Sequence, residues 1–255
     1  MDQLLQRVQV RFLRELYRGA KSGFVLKGGL ALATLYGRSR ATREVDLDFP
    51  AARTAESLHG QVGRALRQAL RGSHVADVRI HEPGKAELSP RWKINGLGPA
   101  GEAFSMRIEV SRRPPPPGRV RQAVVSGGAS YGVGTFYVDL YEEGTLAAMK
   151  LAALLGRSAV RDVYDLDLLL PAHAPGLKLI QWALEHAHID AADAARAVVD
   201  RLVALDWNLF RSQMLIDPEL LGRIDAAAWE AMKARVRDVL APLLDEQARA
   251  LGGES

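Results

Sequence analysis

Apolar residues recur at helical spacing from the start of the chain. Leu4, Leu5, Val8, Phe12, Leu13 and Leu16 fall on one face of a helix predicted over residues 2–19. A Gly-Ala-Lys-Ser-Gly break follows, and the short apolar run Phe24-Val25-Leu26 predicts a strand. Gly28-Gly29 punctuates that strand, and Leu30 to Tyr36 reads as a short helix closed by Gly37. Val45-Asp46-Leu47-Asp48-Phe49 alternates apolar with acidic, predicting a second strand. Its period of two sends both aspartates to the same face.

Ala55 to Arg71 carries a helical pattern, while His74 to Ile80, Glu87 to Asn95 and Phe104 to Val110 alternate as strands between proline and glycine signals. Four consecutive prolines, Pro114 to Pro117, then favour an extended polyproline segment, read as a stiff connector in preference to a docking site. One more strand is expected over Gly134 to Leu140, and from Glu142 the pattern is helical almost to the end. The fold class expected is therefore α/β (α+β): an α/β domain with a mixed β-sheet over residues 1–140, followed by an α-helical domain over residues 141–255.

Composition narrows the class. The 255 residues are 48% hydrophobic and 25% charged, as in globular proteins, and no apolar run approaches the roughly 20 residues that cross a bilayer. The amphipathic N-terminus has no uncharged signal-like core, and the chain has no cysteine for disulfides or thiolate metal sites. A soluble, cytoplasmic protein without membrane partners is the expectation. A net charge of +4 permits a polyanionic partner without requiring one.

Two carboxylates on one strand face repel unless a cation lies between them. Mg²⁺ prefers carboxylate and phosphate oxygens, so Asp46 and Asp48 make a candidate pair of metal ligands. Glu109, between apolar residues in Met106-Arg107-Ile108-Glu109-Val110, joins them as a third acid if the strands are neighbours. A glycine pair between strand and helix lets backbone amides approach a phosphate closely, so Gly28 and Gly29 are candidates for binding a nucleoside triphosphate. Farther along, Lys150 and Arg157 are seven residues apart and share a helix face, while Asp162 and Asp165 are i,i+3 neighbours on the next helix. Cations there face acids across a helical hairpin, either as a salt-bridge cluster that includes Arg161 or, for Lys150, as a mobile point charge for a triphosphate.

The stretches "FVLKGGLALATLYGRSRATREVDLDF" and "LAAMKLAALLGRSAVRDVYDLDLLL", with "IEV" between them, resemble the AbiEii/AbiGii toxin family of nucleotidyltransferases (type IV toxin–antitoxin, MenT-like), whose fold is of the DNA polymerase β type. The resemblance covers both halves of the chain. It implies a glycine turn at Gly28 and Gly29, metal acids at Asp46 and Asp48 with Glu109, a helical lysine at Lys150, and an acidic motif at Asp162 and Asp165. Leu30 stands where the family commonly has Thr or Ser, and Arg43-Glu44 precede Val45 where it has Ser or Lys near the acid pair.

The activity implied is Mg²⁺-dependent transfer of a nucleoside monophosphate from an NTP to an acceptor hydroxyl, the acceptor being RNA, with the 3′ end of tRNA foremost, and a block of translation as the result. Asp46, Asp48, Lys150 and Asp165 would be catalytic, with Asp165 as a base or as the group that orients Lys150. Gly28, Gly29, Lys150 and Arg43 would hold the nucleotide, and a cognate antitoxin is the expected partner. Arg38, Arg40, Arg43, Arg112, Arg113, Arg119 and Arg121 offer phosphate contacts in loops. An enzyme of the same fold acting on a small molecule or a protein, and a non-catalytic binding protein, are the alternatives. His173, His186 and His188 lack metal-ligand company and read as ordinary residues, and Trp182, Trp207 and Trp229 read as packing of the helical core.

Overall fold

The computed structural model describes residues 3–18, 23–37, 42–49, 53–84, 87–126 and 132–252. Most of the first interhelix break, together with Arg38 and Arg40, lies outside them. Helix α1 (Gln3–Tyr17) buries Leu5, Val8, Phe12, Leu13 and Leu16, the face that the apolar spacing defines. It packs on α3 (Ala55–Leu70), whose start is fixed by Thr54, the side chain of which accepts a hydrogen bond from the Ser57 amide at 3.1 Å. The short helix α2 (Gly28–Tyr36) starts directly at the glycine pair, so both glycines belong to its first turn and not to a turn before it.

The strands are β1 (Val25–Lys27), β2 (Glu44–Asp48), β3 (Ala76–His81), β4 (Arg91–Leu97), β5 (Ala103–Ser111), β6 (Val120–Val125) and β7 (Phe136–Tyr141). They form one seven-stranded mixed sheet in the order β3-β4-β5-β2-β1-β7-β6. The β2–β5 and β1–β7 pairs are parallel and the others antiparallel. Strand β6 is absent from the expectations above because it is an edge strand in which Ala123 alone is buried. Its alternation therefore has almost no apolar side to detect.

The chain divides into two compact units, Met1–Pro115 with Val120–Tyr141, and Pro116–Arg119 with Glu142–Ser255. The proline run thus straddles a unit boundary. Within the second unit Gly118 lies so close to Thr145 that any Cβ would strike the threonine side chain. The rest of this unit is α4 (Glu143–Gly156), α5 (Val160–Leu169), α6 (Leu177–Ala187), α7 (Ala191–Ala204), α8 (Trp207–Gln213), a 3-10 turn (Met214–Ile216), α9 (Pro218–Leu221) and the long α10 (Ala226–Gly252). Trp229 is fully buried, packs on Phe210 with ring centroids 4.6 Å apart, and donates its indole N–H to the Leu205 carbonyl at 2.9 Å. Trp182 and Trp207, also expected in the core, are only half-buried.

Candidate active site

Strand register builds the acidic site. Antiparallel pairing sets Lys27 opposite Asp46, parallel pairing sets Glu109 beside Asp46, and antiparallel pairing sets Arg91 opposite Glu109. Arg91, Glu109, Asp46 and Lys27 thus form one row across four strands, and Asp48 follows one pleat along, beside Ser111. The alternating residues Val45, Leu47, Ile108 and Val110 are fully buried on the opposite face. The three acids therefore share a face because their apolar neighbours take the other one.

Asp48 and Glu109 are held by the chain itself. The Lys27 ammonium lies 2.5 Å from Asp48 Oδ1, and the Tyr141 hydroxyl donates to Asp48 Oδ2 at 2.6 Å. Burial, and then the charge of Asp48, push the Tyr141 hydroxyl well above its ordinary pKa, so it stays protonated and can only donate to the carboxylate. Arg91 grips Glu109 with Nε at 2.6 Å and Nη2 at 3.4 Å. That bond holds the guanidinium more firmly protonated than usual. In the next row Arg107 pairs with Glu44 at 2.7 Å.

Gly28 has a structural duty of its own. Its φ is +67°, and a Cβ at this position would run into the carboxylate of Asp46. The side-chain-free turn makes room first of all for the aspartate.

Lys27 and Tyr141 are partners of Asp48 that sequence reasoning missed. A lysine directly before the glycine pair was the available signal for the first. For the second there was little, since the strand expectation ended at Leu140.

Among the described residues no group of three or more His, Asp or Glu is gathered tightly enough to hold a metal ion. The donor set nonetheless fits a hard divalent cation in kind, with carboxylate oxygens on one face and an ammonium already seated on Asp48 in the position of a positive charge.

The second expected cluster forms in the helical unit. Lys150 on α4 lies 3.1 Å from Asp162 Oδ1 and 2.7 Å from Asp165 Oδ2 on α5, and both aspartates are completely buried. Arg157 adds a two-pronged contact to Asp162 at 2.8 and 3.0 Å. The hairpin closes around this cluster, for the lysine side chain is only 9% exposed. Burial raises the Asp162 carboxyl, but Lys150 and Arg157 outweigh it and the opposing charge of Asp165, leaving its pKa below the ordinary value.

Of the arginines expected in loops, Arg38 and Arg40 lie outside the described residues. Arg43 is exposed just before β2, Arg113 and Arg119 are exposed, and half-buried Arg121 lies on the edge strand β6. Arg112 is half-buried and donates to the Arg53 carbonyl at 3.2 Å. His173 is half-buried, His186 stacks on Trp182, and His188 adopts a left-handed cap at the end of α6. A cavity of about 260 Å³ is lined by Glu15, Arg64, Ala65, Arg67, Gln68 and Arg71, with none of the strand acids in its wall. Among the described residues no helix is long and apolar enough to cross a membrane.

Comparison with known proteins agrees with this architecture. The chain is similar in fold to MenT4, a nucleotidyltransferase toxin from Mycobacterium tuberculosis H37Rv, with a TM-score of 0.56 and 17% identity over 94% of this chain and 92% of that one. No curated protein matches. The family model described as "Nucleotidyl transferase AbiEii toxin, Type IV TA system" matches residues 11–242. With the glycine turn, the strand acids and the Lys150 helix all inside that match, the chain belongs to the AbiEii family of nucleotidyltransferase toxins of type IV toxin–antitoxin systems.

Proposed function

We propose that this protein transfers a nucleoside monophosphate from an NTP to the 3′-terminal hydroxyl of tRNA, blocking translation in the cytoplasm, and that a cognate antitoxin restrains it. The acceptor oxygen attacks the α-phosphorus, a new P–O bond forms, the bond to the bridging oxygen of the β-phosphate breaks, and pyrophosphate leaves. One observation carries this reading: Asp46 stands in register with Glu109 and two residues from Asp48, with all three carboxylates on one sheet face.

Asp46 and Asp48 would hold Mg²⁺, with Glu109 completing a second site or taking the hydroxyl proton. Bound there, the ion supplies charge neutralisation and orientation of the triphosphate. Gly28 and Gly29 offer backbone amides at the N-terminus of α2, and Arg43 adds an exposed guanidinium next to β2. On this reading Lys150 helps to hold the triphosphate, and Asp165 serves as a base or orients Lys150. Their burial and mutual ion pair favour a second role for these two, as a structural tie within the helical unit.

The test is incubation with Mg²⁺, total RNA and each α-labelled NTP in turn. Label on a tRNA band with the wild type and none with Asp48→Ala is expected. Label on a small molecule or a protein and on no RNA would move the acceptor to another class.

A further inference from the structure

Beside the row that carries Asp46 and Glu109, register sets two further rows on the same face. One runs His81, Lys93, Arg107, Glu44, and the next runs Arg79, Asn95, Ser105. The alternating Trp92, Ile94, Met106 and Ile108 are fully buried on the other face, whereas Arg79, His81, Lys93, Asn95, Ser105 and Arg107 are all exposed. The open face of β3, β4 and β5 is thus a polar surface with cations on every strand.

Its acids lie at its margins, apart from exposed Asp77 on β3, which sits at an irregularity of the pairing before Arg79 with φ +49°. Glu109 and Glu44, at the end near Asp46, are held by Arg91 and Arg107, and exposed Glu82 and Glu87 lie outside the strands, between β3 and β4. Among the described residues Arg79 and Lys93 have no ion-pair partner. Neighbouring strands lie about 4.8 Å apart, so three steps lead from Asp46 on β2 to β3 over about 14 Å. That length suits a run of backbone phosphates better than one small anion.

We propose that this face, with Arg79, Lys93 and Arg107 as phosphate contacts, is the docking track for the single-stranded 3′ end of the RNA acceptor. The inference rests on the nucleotidyl-transfer reading above. The occupant must place one end at Asp46 while its body carries regularly spaced negative charge, and a nucleic acid strand does both. Contacts of this kind position a backbone and carry no sequence information, so the track fixes where the acceptor lies and leaves the choice of base to other groups.

The experiment uses the full chain, a short fluorescein-labelled oligoribonucleotide and labelled tRNA, with anisotropy followed over a salt series. The double reversal Arg79→Glu/Lys93→Glu should weaken binding of both RNAs at least about tenfold and lower the log–log salt slope by about 2. Melting temperature and NTP affinity should stay at wild-type values. Arg79→Gln/Lys93→Gln, with smaller loss in the same direction, serves if the reversal fails to fold.

Wild-type RNA affinity in either double variant overturns the track. So does an equal loss from Arg64→Glu/Arg67→Glu on α3, which would mean general attraction to a basic chain. Loss of antitoxin binding with RNA binding retained overturns it in favour of an acidic protein partner. If the reversal removes RNA binding yet the wild type transfers no nucleotide to RNA, the proposed reaction fails, and the face stands as an RNA-binding surface but not as an acceptor track. If transfer to tRNA at limiting RNA is undiminished in the reversal, the track fails and the reaction stands.

Discussion

The ammonium of Lys27 sits 2.5 Å from Asp48 Oδ1, on the face that Asp46 shares. A divalent cation arriving at that carboxylate competes with a cation the chain already supplies. Lys27→Met removes the competitor, so Mn²⁺ or Mg²⁺ titrated into the variant should bind more tightly than into the wild type by calorimetry. Unchanged metal affinity would mean that Lys27 and the metal do not share Asp48.

Gly28→Ala combines a left-handed φ with a side chain aimed at Asp46. The backbone term alone costs about 1–2 kcal/mol, and displacement of the carboxylate adds a functional loss. A modest fall in melting temperature with a far larger fall in nucleotide transfer is expected. Equal losses would assign the glycine to the fold alone.

Lys150→Ala leaves two fully buried aspartates without their shared ammonium. Breaking a buried pair from one side destabilises by about 3–5 kcal/mol, so the variant should melt well below the wild type in a denaturant titration. A change of less than about 1 kcal/mol is what a surface pair would give. It would assign Lys150 to the nucleotide and not to the scaffold.

Asp162 has a depressed carboxyl pKa, so its contribution to stability is fully present above the ordinary value of 3.8 and is lost as pH falls through the lower native value. Asp162→Asn should therefore flatten the dependence of stability on pH between 3.8 and the lower native value, while lowering stability at neutral pH. An unaltered acid slope would remove Asp162 as the titrating group.

Asp46, Asp48 and Glu109 are legible in sequence because strand alternation is local: an acid between two buried apolar residues declares its face. Tyr141 was not, because its meeting with Asp48 depends on β7 lying parallel to β1, a pairing between distant parts of the chain that no local pattern encodes. Lys150 was found as a residue but misjudged in environment. Helical spacing placed it opposite two aspartates, yet lysines are mostly exposed, and only tertiary packing could close the hairpin around it. The cations of β3, β4 and β5 are illegible in sequence for a related reason: the register that aligns Lys93 with Arg107 belongs to the assembled sheet.

The pairing of Leu26 with Leu140 bears on how the protein comes into being. On the ribosome, β1 emerges early and its partner β7 only after the strand acids and the proline run have been made. Until then one edge of β1 has no strand beside it, and an unpaired edge invites association with other chains. Closing so long a loop is slow relative to local folding. Chains truncated before Phe136 should therefore contain Asp46, Asp48 and Glu109 and still fail to form a stable sheet.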